Sequence, residues 1–126
     1  FPTRRSSDLM MKLYKTNEGH AELLLTQLEL AESFWQRGKG LLGHSKLEFD
    51  QALWIKPCNN IHTMFMRFSI DCIFLDKKLV VQKIVNQVKP FRLIGPFWKS
   101  YSVIETTAGF AERKKIKVGD HLYVVS

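Results

Sequence analysis

Long apolar runs are missing from this sequence, and so are most of the common cofactor and catalytic motifs. No stretch approaches the ~18–20 consecutive apolar residues that a membrane-spanning helix needs. Apolar stretches such as LVV at 79–81 and YVV at 123–125 have the length of strands. There is also no P-loop, no H-E-x-x-H and no G-x-S-x-G motif, and the single G-x-G-x-x-G match, GKGLLG at 38–43, lies at the end of a predicted short helix and does not open one. The sequence therefore predicts no transmembrane segment and offers no direct sign of nucleotide, zinc-protease or serine-hydrolase chemistry.

Cysteine is scarce, and the two thiols present are Cys58 and Cys72. Two cysteines do not form a disulfide framework, and their number fits a reducing compartment. The first residues, FPTRRSSDLMM, lack the apolar core of a signal peptide. We therefore predict a cytoplasmic protein.

The opening stretch FPTRRSSDL resembles the translation of a sequencing adapter. This resemblance implies that residues 1–10 are a non-native, disordered leader and that residues 11–126 form a single domain. A signal peptide that the leader replaced remains an open alternative.

The sequence is short of acidic residues, with 12 Asp and Glu against 19 Lys and Arg. The resulting net charge of +7 raises the question of nucleic-acid binding. However, the basic residues are scattered, and apart from Arg4 and Arg5 in the opening stretch only 77–78 and 113–115 form clusters. A solvated basic surface explains this pattern better, so no specific nucleic-acid partner is predicted.

Short β-type runs separated by turn signals make up most of the chain. Asn17 and Gly19 mark a turn within the polar residues 12–20. The predicted strands cover 21–31, 52–55, 61–68, 70–76, 79–88, 101–106 and 118–125, and the predicted short helices cover 32–43 and 108–116. The pattern is typical of a mostly β fold, and we expect a compact antiparallel jelly-roll-like sandwich or barrel with two short helices.

The densest group of chemically active residues lies at 57–71. If 61–68 is a strand, then His62, Met64 and Met66 share one face. Together with Cys58 they would offer the soft ligands that select Cu(I). The alternative is that the two Met fill the core and His62 is only hydrogen-bonded. Because one Cys–His pair is fewer ligands than a zinc-type site needs, no metal or other cofactor is predicted, and soft-metal handling stays an alternative.

Three charged residues allow a structural or a functional interpretation. Four residues of straight strand separate Arg67 from Asp71 by ~13 Å, so they pair only if the chain bends. Asp71 lies in an apolar run and is expected either to accept backbone hydrogen bonds or to act in a cleft. Glu105 precedes the second predicted helix, where Thr106 or Thr107 is the expected N-cap, so a role at the strand end is favoured for it.

Several motifs in a fixed order resemble the domain of unknown function 192 family over roughly residues 22–125. Members generally show R-x-x-G-L-M-x-R-x-x-L and V-L-E-x-x-A-G segments. Here the matching stretches are Q-R-G-K-G-L-L-G-H-x-x-L at 36–47, the subgroup-like P-C-N-N-I-H-T-M-F-M-R-F-S-I-D at 57–71, V-I-E-T-x-A-G at 103–109 and V-G-D at 118–120.

The resemblance implies a compact bacterial or archaeal β fold and no established reaction. Leu42, His44 and Ser69 depart from the usual Met, Arg and Pro. The change at His44 weakens any anion-binding role there, and the change at Ser69 removes a residue that would enforce a bend.

We therefore expect a binding module for an unknown small ligand or protein, with a groove around residues 57–71. Arg67 would supply charge, and the other candidate ligand-binding residues are Cys58, His62, Thr63, Met66, Asp71, Trp54 and Trp98. Two alternatives stay open. One is an enzyme that uses Cys58, His62 and Asp71. The other is a soft-metal protein that uses Cys58, His62, Met64 and Met66.

Overall fold

The computed structural model describes residues 10–33, 37, 41 and 44–126. No helix formed by these residues is long and apolar enough to cross a membrane. The elements with defined bounds are β1 (Met11–Asn17), β2 (His20–Ala31), β3 (Gln51–Ile55), β4 (Ile61–His62), β5 (Ile70–Leu75), β6 (Val81–Val88), β7 (Leu93–Ile94), β8 (Ser102–Thr107), the helix α1 (Phe110–Arg113) and β9 (Leu122–Val125).

Seven of the strands form one sheet in the order β6-β5-β8-β3-β2-β1-β9, and β4 pairs with β7 in a small second sheet. The mostly β fold predicted from the sequence is confirmed. Within the large sheet, the departure from an antiparallel arrangement is the pair of β2 and β3, which run parallel. A parallel pair needs a long crossover connection, and residues 32–50 provide it. A bridge between Val80 and His121 brings the two ends of the large sheet together at one point.

The large sheet has a hydrophobic core on each face. Alternate residues of β3 point to opposite sides, so Ala52 and Trp54 lie in the first core while Leu53 and Ile55 lie in the second. The first core also contains Phe110 of α1. The second includes residues of the segments that cover the other face, namely Leu41, Ile61 and Met66. As a result, β5 is buried along its whole length and β8 along all but its last residue.

Most predicted strands are present, and the main error concerns 61–68. The strand there ends at His62, and Phe65 has a φ of +65°, which no strand residue adopts. Residues 12–20 are also more regular than predicted, because β1 fills most of them and leads into a turn with positive φ at Glu18 and Gly19. Most of the helix predicted at 32–43 lies outside the described residues.

The helix predicted at 108–116 is shorter and is capped differently than expected. Its N-cap is Gly109 in the left-handed region, and no side chain caps it from the same segment. The cap prediction at Thr106 or Thr107 is therefore wrong. Asp71, which comes from β5, takes that role instead.

Asp71 joins three elements through its buried carboxylate. Oδ1 accepts a hydrogen bond from the backbone N–H of Gln87 (2.8 Å), and Oδ2 accepts from Gly109 (3.1 Å) and Ala111 (3.0 Å). The side chain is fully buried. These contacts are the ones that the structural interpretation of Asp71 predicted, and they fix α1 and β6 against β5.

We predict that Asp71→Ala destabilises the protein by about 3 kcal/mol, because three backbone N–H groups, of which that of Ala111 is buried, lose their acceptor. Urea unfolding followed by circular dichroism measures this loss. The control is Glu112→Ala, which removes an exposed carboxylate from α1 itself. Equal stability of the two variants would contradict the structural role.

Candidate functional site

The predicted site residues fall into separate places and do not line one groove. Trp54 and Asp71 lie on the first-core side of the sheet. Met66 is buried in the second core, and Cys58 packs against the edge of that core. Lys56 Nζ lies 4.2 Å from the centre of the Trp54 ring. By contrast, three other candidates lie at the surface: His62, Arg67 and Trp98.

Thr63 is fully buried and ties two loops together. Its hydroxyl donates to the Lys89 carbonyl (2.6 Å) and accepts from the Arg92 N–H (2.8 Å). Its backbone N–H donates to the Arg92 carbonyl (2.9 Å), and its carbonyl accepts from the N–H groups of Phe91 (2.8 Å) and Met66 (3.2 Å). With its hydroxyl and backbone groups committed, Thr63 acts as a structural connector between the segments 63–66 and 89–92.

The soft-metal alternative relied on a strand that does not form. Because the strand ends at His62, alternation along 61–68 no longer groups His62, Met64 and Met66 on one face. Nδ1 of His62 accepts a hydrogen bond from the Met64 N–H (3.3 Å), and Met66 is buried among apolar side chains. Among the described residues, no three His, Cys, Asp or Glu side chains are placed to hold a metal ion.

A buried carboxyl, Glu105, lies at the centre of the second-core face. The strand register places it beside Leu53 of β3 and Cys72 of β5. It is 3% exposed, and its Oε1 has no hydrogen-bond partner within the described part of the chain. Burial raises the pKa of Glu105 to about 8, so the carboxyl is largely protonated at neutral pH.

Cys58 is a partly buried free thiol. Its Sγ donates to the Asn60 carbonyl (2.9 Å), and it interacts electrostatically with both Glu105 and Arg37. Arg37 Nη1 in turn donates to the Pro57 carbonyl (3.2 Å). Burial outweighs the nearby guanidinium and raises the pKa of the Cys58 thiol. Burial likewise raises the pKa of Cys72, so neither group resembles an activated nucleophile.

A cleft of about 260 Å³ opens on the second-core face, and it includes Leu53, the strand neighbour of Glu105. Ala31 and Leu53 supply its apolar floor from β2 and β3, and Leu41 and Leu47 form the opposing wall. Its polar lining consists of Glu29, Gln27, Gln51 and His44, and Met10, the last residue of the predicted leader, completes it. Half-enclosed spaces with an apolar floor and few polar groups are typical of small-ligand sites.

Glu29 is the charged group of the cleft. It is half-buried, and its carboxylate makes no hydrogen bond or ion pair within the described ranges. The register runs from Glu29 through Leu53 to Glu105, which places the two carboxyls about two strand spacings, or roughly 10 Å, apart. Within the described part of the chain, the cleft therefore carries a carboxylate without a side-chain partner, in a protein whose net charge is +7.

Reasoning from the sequence missed both the cleft and the burial of Glu105. A signal for Glu105 was present, because an acid within the run VIET breaks a segment otherwise suited to burial on both faces. The cleft had no comparable signal, since it forms where the parallel β2–β3 pair meets Leu41, His44 and Leu47.

Comparisons with known proteins place the chain among uncharacterised relatives. The sequence profile of the domain of unknown function 192 family, described as uncharacterized ACR, matches residues 14–124. A UPF0127 protein from Pyrococcus horikoshii is 33% identical over 99 residues, covering 76% of this chain and 85% of that one. A UPF0127 protein from Pyrococcus abyssi is 34% identical over 98 residues, covering 75% and 82%.

A solved structure shares the fold. A protein of unknown function from Novosphingobium aromaticivorans superposes with a TM-score of 0.80 at 20% identity, covering 97% of this chain and 91% of that one. At this identity the likeness concerns the fold alone.

We predict that stability falls as pH rises from about 5 to about 8 and that Glu105→Gln abolishes most of this dependence. The folded state keeps the proton up to about pH 8, whereas the unfolded carboxyl releases it near 4.5. Stability is therefore highest below the pKa of 4.5 that Glu105 has in the unfolded chain. It is lost, by up to a few kcal/mol, as the pH rises through the folded-state pKa of about 8. Urea midpoints across this range test the prediction, with Glu29→Gln as the control, and parallel curves for wild type and Glu105→Gln would refute it.

We also predict that Cys58 reacts slowly with iodoacetamide at neutral pH and reaches half its maximal rate above the ordinary thiol value of about 8.5. Cys58→Ser should remove this slow labelling reaction, since the remaining thiol, Cys72, is fully buried. Mass spectrometry of labelled peptides assigns the reaction. Rapid labelling of Cys58 well below pH 8.5 would instead support the enzyme alternative.

Proposed function

Since the chain belongs to the domain of unknown function 192 family, we propose that it is a binding module that holds a small amphiphilic amine in the cleft beside Glu29. The observation that carries the proposal is the combination of an apolar floor with one carboxylate that has no side-chain partner among the described residues. An alkyl group would cover Leu53, Ala31 and Leu47, and its ammonium group would contact Glu29. The carboxamides of Gln27 and Gln51 add hydrogen-bonding groups near that position.

The charge at the cleft supports an amine over an acid. A carboxylate ligand would meet Glu29 as a like charge, whereas an ammonium group gains an attractive partner. Because Glu29 is only half-buried, solvent screening limits this preference. The volume of about 260 Å³ lies at the lower end for ligand sites, which favours a small molecule.

Binding is also favoured over catalysis by the state of the nearby groups. Cys58 is held as a thiol by burial, and Glu105 is held as a neutral acid. Asp71, the third member of the enzyme alternative, has both oxygens committed to backbone N–H groups on the sheet's other face. A nucleophile needs an adjacent base or a lowered pKa, and this arrangement supports neither.

We predict that short n-alkylamines bind more tightly than alkanoates of equal length, and that Glu29→Gln reduces this preference by about fivefold, which corresponds to about 1 kcal/mol. Titration calorimetry or nuclear magnetic resonance shifts of Leu53 and Leu47 report the binding. The volume-filling variant Leu47→Trp should abolish it.

The matched control is Leu23→Trp, which adds the same side chain at an exposed position of β2. It should leave amine binding unchanged. Equal binding of amines and alkanoates by wild type, or unchanged amine binding by Leu47→Trp, would refute the proposal.

A further inference from the structure

Two loops carry exposed apolar side chains at one place on the surface. We call residues 62–67 together with 89–93 the loop tip. Within it, Phe65 is 74% exposed, Phe91 is 54% exposed and Leu93 is 79% exposed. The two phenyl rings contact each other edge to face, with their centres 5.6 Å apart. Three large apolar side chains exposed within two joined loops are a feature that folding alone does not require.

The backbone holds these side chains outward in a disfavoured conformation. Phe65 has a φ of +65° and Phe91 a φ of +64°, and residues with bulky side chains rarely adopt such values. Asn or Gly would fit either position with less strain. The chain keeps phenylalanine at both. Outliers of this kind, held by surrounding structure, are typical of functional surfaces.

The surrounding structure that holds them is the Thr63 connector. Its hydroxyl, N–H and carbonyl join the segments 63–66 and 89–92, and its carbonyl accepts directly from the N–H of Phe91. The β4–β7 pair continues this contact through His62 and Leu93. The loop tip is thus fixed in shape before any partner arrives, which lowers the entropic cost of binding.

Positive charge surrounds the apolar side chains. Arg67, Lys89 and Arg92 are all exposed in or beside the loop tip. Neither 51–70 nor 77–104, the two stretches that contain it, includes a single Asp or Glu. Between them, Asp71 is buried and Asp76 is engaged by the N–H groups of Lys78 and Val80. The local charge is therefore cationic, with no nearby acid in these stretches to offset it.

We infer that the loop tip docks on the surface of an anionic lipid bilayer. Phe and Leu side chains suit the boundary between headgroups and hydrocarbon, and the surrounding Arg and Lys suit lipid phosphates. Single-stranded nucleic acid fits less well, because base stacking needs open ring faces. Here the edge-to-face contact between Phe65 and Phe91 covers one ring face, and the third apolar group is aliphatic. This inference is independent of the amine site, which lies at β2–β3.

Co-sedimentation with phosphatidylcholine vesicles, with and without phosphatidylglycerol, tests the inference. We expect wild type to partition onto the anionic vesicles and to release at high salt, because salt screens the charge attraction. The double variant Phe65→Asn/Phe91→Asn should lose at least about tenfold of this partitioning. Its melting temperature should stay the same or rise, since Asn relieves the backbone strain, and its alkylamine binding should be unchanged.

Charge variants separate a local effect from overall charge. Arg67→Gln/Arg92→Gln should weaken partitioning by about tenfold, whereas Lys12→Gln/Lys117→Gln, which removes two exposed charges elsewhere, should change it less than about threefold. Equal losses of partitioning from both pairs of substitutions would overturn the inference. Failure of the wild-type protein to bind anionic vesicles would overturn it as well. Binding to oligo(dT) or to an acidic protein with no vesicle binding would assign the loop tip to that partner instead.

Discussion

A strand with no solvent face must satisfy every polar group it carries from within the protein. This constraint governs β5 and β8, which are almost entirely buried. The two strands meet it differently. Asp71 of β5 is paired with three backbone donors and so fastens the helix and β6 to the sheet. Glu105 of β8 has no partner for Oε1 among the described residues, and burial raises its pKa so that the carboxyl stays protonated at neutral pH. One acid contributes to the fold, and the other is tolerated by it.

The sequence predicted the fold class and most strands because strand signals are local. Alternation in 21–31 and the β-branched runs at 70–76 and 79–88 need no information about distant residues. The segment 61–68 shows the limit of that reasoning. Its composition favours a strand, but the hydrogen bonds of Thr63 to residues 89–92 turn the chain instead. These tertiary hydrogen bonds override the local preference for a strand, and the composition of 61–68 gives no information about them.

The candidate site shows the same limit more strongly. Adjacent residues in 57–71 suggested a single groove, yet strand alternation sends Asp71 and Cys72 to opposite cores. The proposed amine cleft lies at β2–β3 with Leu41, His44 and Leu47, whereas the loop tip lies at 62–67 and 89–93. The two proposed binding surfaces therefore use different segments and opposite charges.

The position of β9 has a consequence for how the chain folds. β1 pairs with β2, its neighbour in sequence, and with β9, which follows more than a hundred residues later. Such distant pairing makes folding slow, because the loop must close before the contact stabilises it. Until β9 docks, β1 presents an open row of backbone donors and acceptors that can recruit a strand from another molecule. Docking of β9 therefore covers the edge through which β1 could pair with another molecule, and the rate of docking sets how long that edge is exposed.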